Sequence, residues 1–292
     1  MKADSISLVS GWRGVGKTFF GLGIADAVSK GQSFGPWECI QAVPVLYLDG
    51  EMSQSDIKQR IKELRIDSPN LYVYSDHHAN LQGLPRAHLA NEPWRIKMKS
   101  ILIARHVKLW IVDNIASLAS GLDENSKKDW DPINSWLLDL RFSGIATILL
   151  HHVNKEGGQR GTSAREDNLD ISIMLKTPGD YVPEDGCRFI VHFSKARVNT
   201  KDLPLIADME FNLTQDESGK ATWTYSNVKR ETKREILRLL DEGLSQADIK
   251  NILNIDKGYV SRVRKQAIKE GLLTPKNKLT QTGFLTVNEA EI

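Results

Sequence analysis

Cysteine is scarce in this 292-residue chain, which contains only Cys39 and Cys187. Two cysteines cannot build a disulfide framework. With no CxxC pair and no Cys/His cluster at ligand spacing, the sequence offers no zinc site. Long apolar runs are missing too: no stretch approaches the ~20 residues a membrane-crossing helix needs. The N-terminus opens on Asp4 and Ser5 without the basic and then apolar segments of a secretory leader. These absences point to a cytoplasmic protein with no membrane partner, in which any metal arrives with a ligand. There is no internal repeat and no low-complexity segment.

What is present is globular in composition, with 40% hydrophobic and 26% charged residues. The length predicts one large and one small domain, because domains run to roughly 100–200 residues. The net charge of +2 hides an asymmetry. Residues 228–284 carry 13 Lys and Arg against 7 Asp and Glu, whereas residues 1–227 carry 26 against 28. A basic excess concentrated in the small segment suits a nucleic-acid partner, although a solvated helix face would produce it as well.

From Ile6 to about Ile206 short apolar runs alternate with helical patterns. The runs are Ile6–Val9, Val45–Leu48, Leu109–Val112, Ala146–Leu150 and Phe189–Phe193, each reading as a parallel strand buried on both faces. Between them Thr18–Ser29, Ser53–Leu64, Trp94–Arg105 and Trp130–Phe142 repeat apolar residues at three- and four-residue spacing, as crossover helices do. The fold class is therefore α/β, an open and mostly parallel sheet flanked by helices. Ligands of such sheets bind beyond the carboxyl ends of the strands. Met209–Leu213 and Ala221–Tyr225, around a turn at Asp216–Gly219, predict an antiparallel hairpin that finishes the sheet.

Gly11-Trp12-Arg13-Gly14-Val15-Gly16-Lys17-Thr18 fits GxxxxGK[ST] between a predicted strand and a predicted helix. Glycines let backbone N–H groups turn toward phosphate, and the helix N-terminus adds partial positive charge. Lys17 reaches the β- and γ-phosphates, and the Thr18 hydroxyl joins the Mg²⁺ shell. The loop predicts ATP bound with Mg²⁺, with Gly11, Gly14, Val15, Gly16, Lys17 and Thr18 as its cradle. Asp113 closes its strand where a carboxylate can hold the Mg²⁺ or its water opposite Thr18. Glu51 follows the Val45–Leu48 strand and suits the polarisation of an attacking water. Asp49 is its rival, and a helix-starting Glu is the plain alternative. His152 ends the Ala146–Leu150 strand, where a neutral imidazole can bond the γ-phosphate or the water, unless it is simply a buried histidine with a backbone partner. Lys195 and Arg197 leave the Phe189–Phe193 strand as a basic pair suited to transferring phosphate; two ordinary surface cations would look the same. Should they act as fingers, they face a neighbouring subunit's nucleotide.

Taken together these residues resemble the RecA-like fold, and more closely the plasmid RepA-type hexameric replicative helicases related to DnaB. The matching stretches are GWRGVGKT at 11–18, LYLDGEMS at 46–53, LWIVDNIASL at 109–118, LLHHVNKEGGQRGTSAREDNLD at 149–170 and FIVHFSKARVN at 189–199. The resemblance implies ATP hydrolysis at the interfaces of a homo-oligomeric ring, expected to be a hexamer. Glu51 would be its catalytic carboxylate and His152 its sensor, with Lys195 and Arg197 acting in trans. It further implies that segments 119–129 and 154–168 line a channel for single-stranded DNA. The second of these contributes Lys155, Arg160 and Arg165, unless it is only a flexible surface loop. The family usually carries residues before the P-loop strand, which here begins five residues from Met1, as in a piece of a longer protein.

The C-terminal segment lies outside that resemblance. Glu231–Glu242, Ala247–Leu253 and Lys257–Glu270 read as helices, and Gly271–Thr280 as a small wing. Domains are thus expected at 1–227 and 228–292. The second resembles winged helix-turn-helix domains that bind duplex DNA. Its presumed recognition helix presents Lys257, Tyr259, Arg262, Arg264 and Lys265, while Val260, Val263 and Ala267 point inward. A winged fold used only for protein contacts is the competing reading.

Three functions fit. The first is a ring-forming, ATP-driven DNA helicase or translocase of a plasmid, phage or mobile element, acting in replication. The second is an ATP-regulated DNA-binding initiator or helicase loader that unwinds nothing. The third is a recombination mediator resembling RadA or the KaiC-like ATPases, which share the P-loop fold.

Overall fold

The computed structural model describes residues 3–123, 126–153, 168–215, 219 and 221–288. Among these residues nine strands form one sheet: β1 (Ile6–Gly11), β2 (Val45–Asp49), β3 (Leu71–Ser75), β4 (Leu109–Asp113), β5 (Ala146–His152), β6 (Ile171–Lys176), β7 (Cys187–Ala196), β8 (Met209–Gln215) and β9 (Ala221–Asn227). Their order is β3-β2-β4-β5-β1-β6-β7-β8-β9. The six from β3 to β6 in that order run parallel. In register Gly11 stands beside His152 and Asp49 beside Asp113, so four chemically distinctive strand ends share one edge.

The connecting helices are α1 (Lys17–Lys30), α2 (Gln54–Glu63), α3 (Asp76–Leu81), α4 (Glu92–Ala104), α5 (Ile115–Leu118) and α6 (Lys127–Phe142). Their starts are set locally. Ser53 accepts the Asp56 N–H at 3.2 Å, Asn91 that of Trp94 at 3.0 Å and Ser126 that of Asp129 at 3.3 Å, each satisfying a donor that the first helical turn leaves open. One face of the sheet buries Ile6, Leu8, Leu46, Leu48, Trp110, Val112 and Leu149 against Met98 and Leu102 of α4 and Ile133, Leu137 and Leu140 of α6. On the other face α1 lies close to Tyr47 and Leu150 at Gly21, where a Cβ would come within 3.3 Å of the Tyr47 ring and 3.0 Å of Leu150. Beyond them Phe20 meets Phe189 edge to face at 5.7 Å, and Phe189 stacks on Phe211 at 6.1 Å. These aromatics fasten α1 to the far half of the sheet.

Two strands were not foreseen, β3 and β6. β3 lies at one edge of the sheet and is half-buried throughout, its apolar run limited to the four residues Leu71–Tyr74. The Phe189–Phe193 run predicts a parallel strand, yet β7 pairs antiparallel with β6, with a bulge between Ser172 and Ile173. Hydrophobicity reports burial on both faces and carries no information about direction. β8 and β9 lie side by side as expected, Thr214 donating to the Thr222 carbonyl and Thr224 to that of Asn212, contacts that step in opposite directions along the two strands; most of the turn expected at Asp216–Gly219 lies outside the described residues.

A second compact unit comprises Asp208–Glu210 and Ser226–Ile292. It holds α7 (Val228–Asp241), α8 (Gln246–Ile252), α9 (Lys257–Lys269) and α10 (Gln281–Asn288), the last not anticipated. Its core gathers Ile236, Leu237 and Leu240 of α7, Ile249 of α8, Val260, Val263 and Ala267 of α9, Leu272, Leu273 and Val287. Asn227 caps α7, Asp256 caps α9, and Ser245 with Asp248 forms a capping box for α8. Between α9 and α10 the chain doubles back through one antiparallel bridge, Leu273 with Leu279.

Candidate active site

β1 delivers the chain to Gly11, and α1 begins at Lys17, so residues 12–16 must turn back within five positions. Gly16 makes that turn with a φ of 106°, and a Cβ there would stand 2.7 Å from Cys187 Sγ and 3.0 Å from the Phe189 ring. Only glycine satisfies both the dihedral and the packing. Lys17 lies buried in the curl, its Nζ donating at 2.8 Å to the carbonyls of Gly11 and Trp12. Burial pulls its pKa down to about 8, against the attraction of Asp113 and Glu51.

Thr18 and Asp113, 95 residues apart in sequence, are brought together: Thr18 Oγ1 donates to Asp113 Oδ2 at 2.7 Å. The Tyr47 hydroxyl donates to the same oxygen, also at 2.7 Å. Asp113 is almost wholly buried, and burial pushes its carboxyl up, opposed by these two hydrogen bonds. Burial raises the Tyr47 phenol well above its ordinary range, with Asp113 adding to the effect, so it remains a donor. A hydroxyl and a carboxylate at the mouth of a phosphate loop are hard oxygen ligands, the donor set that Mg²⁺ prefers. Nothing in the sequence marks Tyr47, because an aromatic inside an apolar run is indistinguishable from core.

Asp49 and Glu51 have different fates. Asp49 is fully buried, and its Oδ1 accepts the backbone N–H groups of Glu51 at 3.2 Å and Met52 at 3.1 Å. Burial pushes its pKa up to about 6. It shapes the turn. Gly50 between them lies against Leu118, where any Cβ would clash at 2.5 Å. Glu51 instead reaches outward, about half exposed, and its Oε2 lies 3.2 Å from His152 Nε2. Between them stands Asn114, fully buried, whose Nδ2 donates to Glu51 Oε2 and lies 3.0 Å from His152 Nε2. Asn114 was not anticipated. Its only signal was its place directly after Asp113 at a strand end.

Lys195 and Arg197 do not join this group. Lys195 pairs in register with Ser172 and Ala196 with Ile171, at the amino end of β6, whereas Gly11 pairs with Leu175 near its carboxyl end. That difference of several residues corresponds to roughly 10 Å or more along the strands. Arg197 is exposed, donates its backbone N–H to the Asp170 carbonyl at 2.9 Å and faces the Asp170 carboxylate at 3.6 Å. Lys195 is half-buried.

Of the residues expected to meet DNA, Lys155, Arg160 and Arg165 lie outside the described residues, as does most of segment 154–168. On α9, Lys257, Arg262 and Lys265 are exposed. Tyr259 packs partly into the helical core, with the Arg262 guanidinium 6.0 Å from its ring. Arg264, expected among the exposed cations, is half-buried: its Nε donates to Asn277 Oδ1 at 2.6 Å and its guanidinium to the Pro275 carbonyl at 3.0 Å. It holds the turn after α9. Among the described residues no helix is long and apolar enough to cross a membrane, and no group of His, Cys, Asp and Glu is placed to hold a metal by itself.

The chain is 26% identical to the DNA repair protein RadA of Campylobacter jejuni over 187 residues, 62% of this chain and 35% of that protein, so it spans about a third of its relative's length. A KaiC-like protein from the hyperthermophilic archaeon Pyrococcus horikoshii OT3 superposes with a TM-score of 0.55 at 16% identity, covering 77% of this chain and 91% of that one. The mostly parallel sheet with flanking helices is a RecA-like fold. The sequence profile of the AAA domain matches residues 1–158. As that match takes in more than half of the chain, and the phosphate loop with it, the protein belongs to the AAA domain family.

Proposed function

We propose that this protein hydrolyses ATP with Mg²⁺ and couples hydrolysis to movement along DNA as a ring-forming helicase or translocase of the RepA and DnaB type, serving replication of a plasmid, phage or mobile element. The observation that carries the reading is the division of the catalytic set. Lys17, Thr18, Asp113, Glu51 and His152 gather at one edge of the sheet, while Lys195 and Arg197 sit toward the other end of its strands. A basic pair so placed serves a nucleotide only if it belongs to a neighbour, which calls for a closed or helical assembly of like subunits. Residues 1–227 form the motor in this proposal. Residues 228–292 form a winged helix-turn-helix that binds duplex DNA through Lys257, Arg262 and Lys265, with the turn around the Leu273–Leu279 bridge as its wing. Segments 119–129 and 154–168 grip the single strand.

The likeness to a DNA repair protein favours a second reading, a recombination mediator that uses ATP on DNA without separating strands. ATPase rates with and without single-stranded DNA, followed by strand separation on a forked duplex, distinguish the two. Stimulated hydrolysis with unwinding supports the helicase, and stimulated hydrolysis without unwinding supports the second reading. Full ATPase in Lys17→Ala removes both.

A further inference from the structure

The side chain of Asn114 contacts three residues that follow or end different strands, Glu51, Ser117 and His152. Its Oδ1 accepts the Ser117 N–H at 3.0 Å and caps α5. That bond fixes which way the amide points, because a backbone N–H can only donate. The NH₂ group therefore faces Glu51 Oε2 and His152 Nε2. Glu51 follows β2 and His152 ends β5, so a fully buried residue following β4 sits between the two side chains suited to handle the attacking water.

We infer that Asn114 is a positioning residue that holds Glu51 and His152 as one unit, by donating to the carboxylate and offering the imidazole an alternative partner to Glu51. The amide brings two hydrogens and no charge. One hydrogen binds Glu51 Oε2, which leaves the other carboxylate oxygen available to take a proton from water. The second is directed at His152 Nε2. A neutral His152 either accepts there from Asn114 or, in its other tautomer, donates to Glu51 at 3.2 Å, and it cannot do both. The choice of tautomer thus links the sensor to the carboxylate through a single side chain. A capping residue alone would need only an oxygen, and serine or aspartate would serve equally well. The amide is required by the other two contacts.

This inference rests on the hydrolytic reading above, and its test separates the two. Asn114→Ser keeps a capping oxygen but is too short to reach Glu51 and His152. Asn114→Asp keeps the size and the cap while replacing the donor with an acceptor facing Glu51. In the full-length protein both variants are expected to lower kcat for ATP about 10- to 100-fold, as misplacement of a reacting group does. The dissociation constant for a fluorescent ATP analogue should stay within about twofold, since such a loss falls on the transition state and spares ground-state binding. Nitrogen NMR of the nucleotide-free protein, with His152 assigned by comparison with His152→Gln, should show its ring resonances displaced in Asn114→Ser. A kcat for Asn114→Ser within about twofold of the parent, a loss confined to nucleotide affinity, or unmoved His152 resonances would each overturn the inference. If the parent protein itself fails to hydrolyse ATP, the hydrolytic reading falls, and the His152 resonances still decide whether Asn114 holds the imidazole.

Discussion

Thr18 at the start of α1 donates a 2.7 Å hydrogen bond to Oδ2 of Asp113 at the end of β4, and the Tyr47 hydroxyl donates to the same atom from β2. A buried carboxylate costs free energy unless its charge is met, and here two neutral hydroxyls meet it on one oxygen. Tyr47→Phe removes one donor with almost no change of shape. We expect it to lower unfolding stability by about 1.5–3 kcal/mol in urea titrations, the range for a lost hydrogen bond to a charged group. ATPase activity should then need more Mg²⁺ to reach half its maximum; an unchanged Mg²⁺ requirement would mean that Tyr47 serves stability alone.

The pKa of about 8 for Lys17 makes nucleotide affinity depend on pH in a defined direction. Phosphate demands the charged ammonium and raises its pKa in the complex, so binding takes up a proton when the free protein has lost it. Affinity should be full below about pH 8 and weaken as pH rises through that value. Calorimetry at pH 9 in two buffers of different ionisation enthalpy should report proton uptake on ATP binding, which Lys17→Ala should abolish along with the binding itself.

Gly16 combines a φ of 106° with near contact to Cys187 and Phe189. Gly16→Ala must distort the loop or displace those side chains, at a cost of about 1–3 kcal/mol. Denaturation should show the loss, and an ATP analogue should bind more weakly. Gly14→Ala makes a useful contrast, since its φ of 81° imposes the dihedral strain while nothing stands within 4 Å of the added methyl.

On α9, Arg262 and Lys265 are exposed, whereas Arg264 is tied to Asn277 and Pro275. If this helix meets duplex DNA, Arg262→Ala and Lys265→Ala should each weaken binding and reduce the slope of log affinity against log salt by about 1. Basal ATPase should be untouched. Arg264→Ala should show its effect chiefly as a lower melting temperature, because it removes a hydrogen-bonded support of the turn.

How much of this was legible beforehand depended on whether the signal was local. The phosphate loop is a contiguous octapeptide whose glycines, lysine and threonine state their geometry in order, and Asp113, Glu51 and His152 each stood at the end of an apolar run. Helix periodicity and capping residues are likewise written within a few positions, so the sequence by itself determined the alternation of strands and helices, the phosphate loop and the helical C-terminal unit. Only the tertiary structure decided strand direction and partnership. β7 turned out antiparallel to β6, which carries Lys195 and Arg197 away from the phosphate loop of their own chain. It also decided that Asp49 shapes a turn while Glu51 reaches out, and that Tyr47 and Asn114 complete the polar network. The contacts of Tyr47 and Asn114 join residues 38 to 66 positions apart, and a pattern read over short windows of sequence contains nothing about which distant backbone comes to lie alongside.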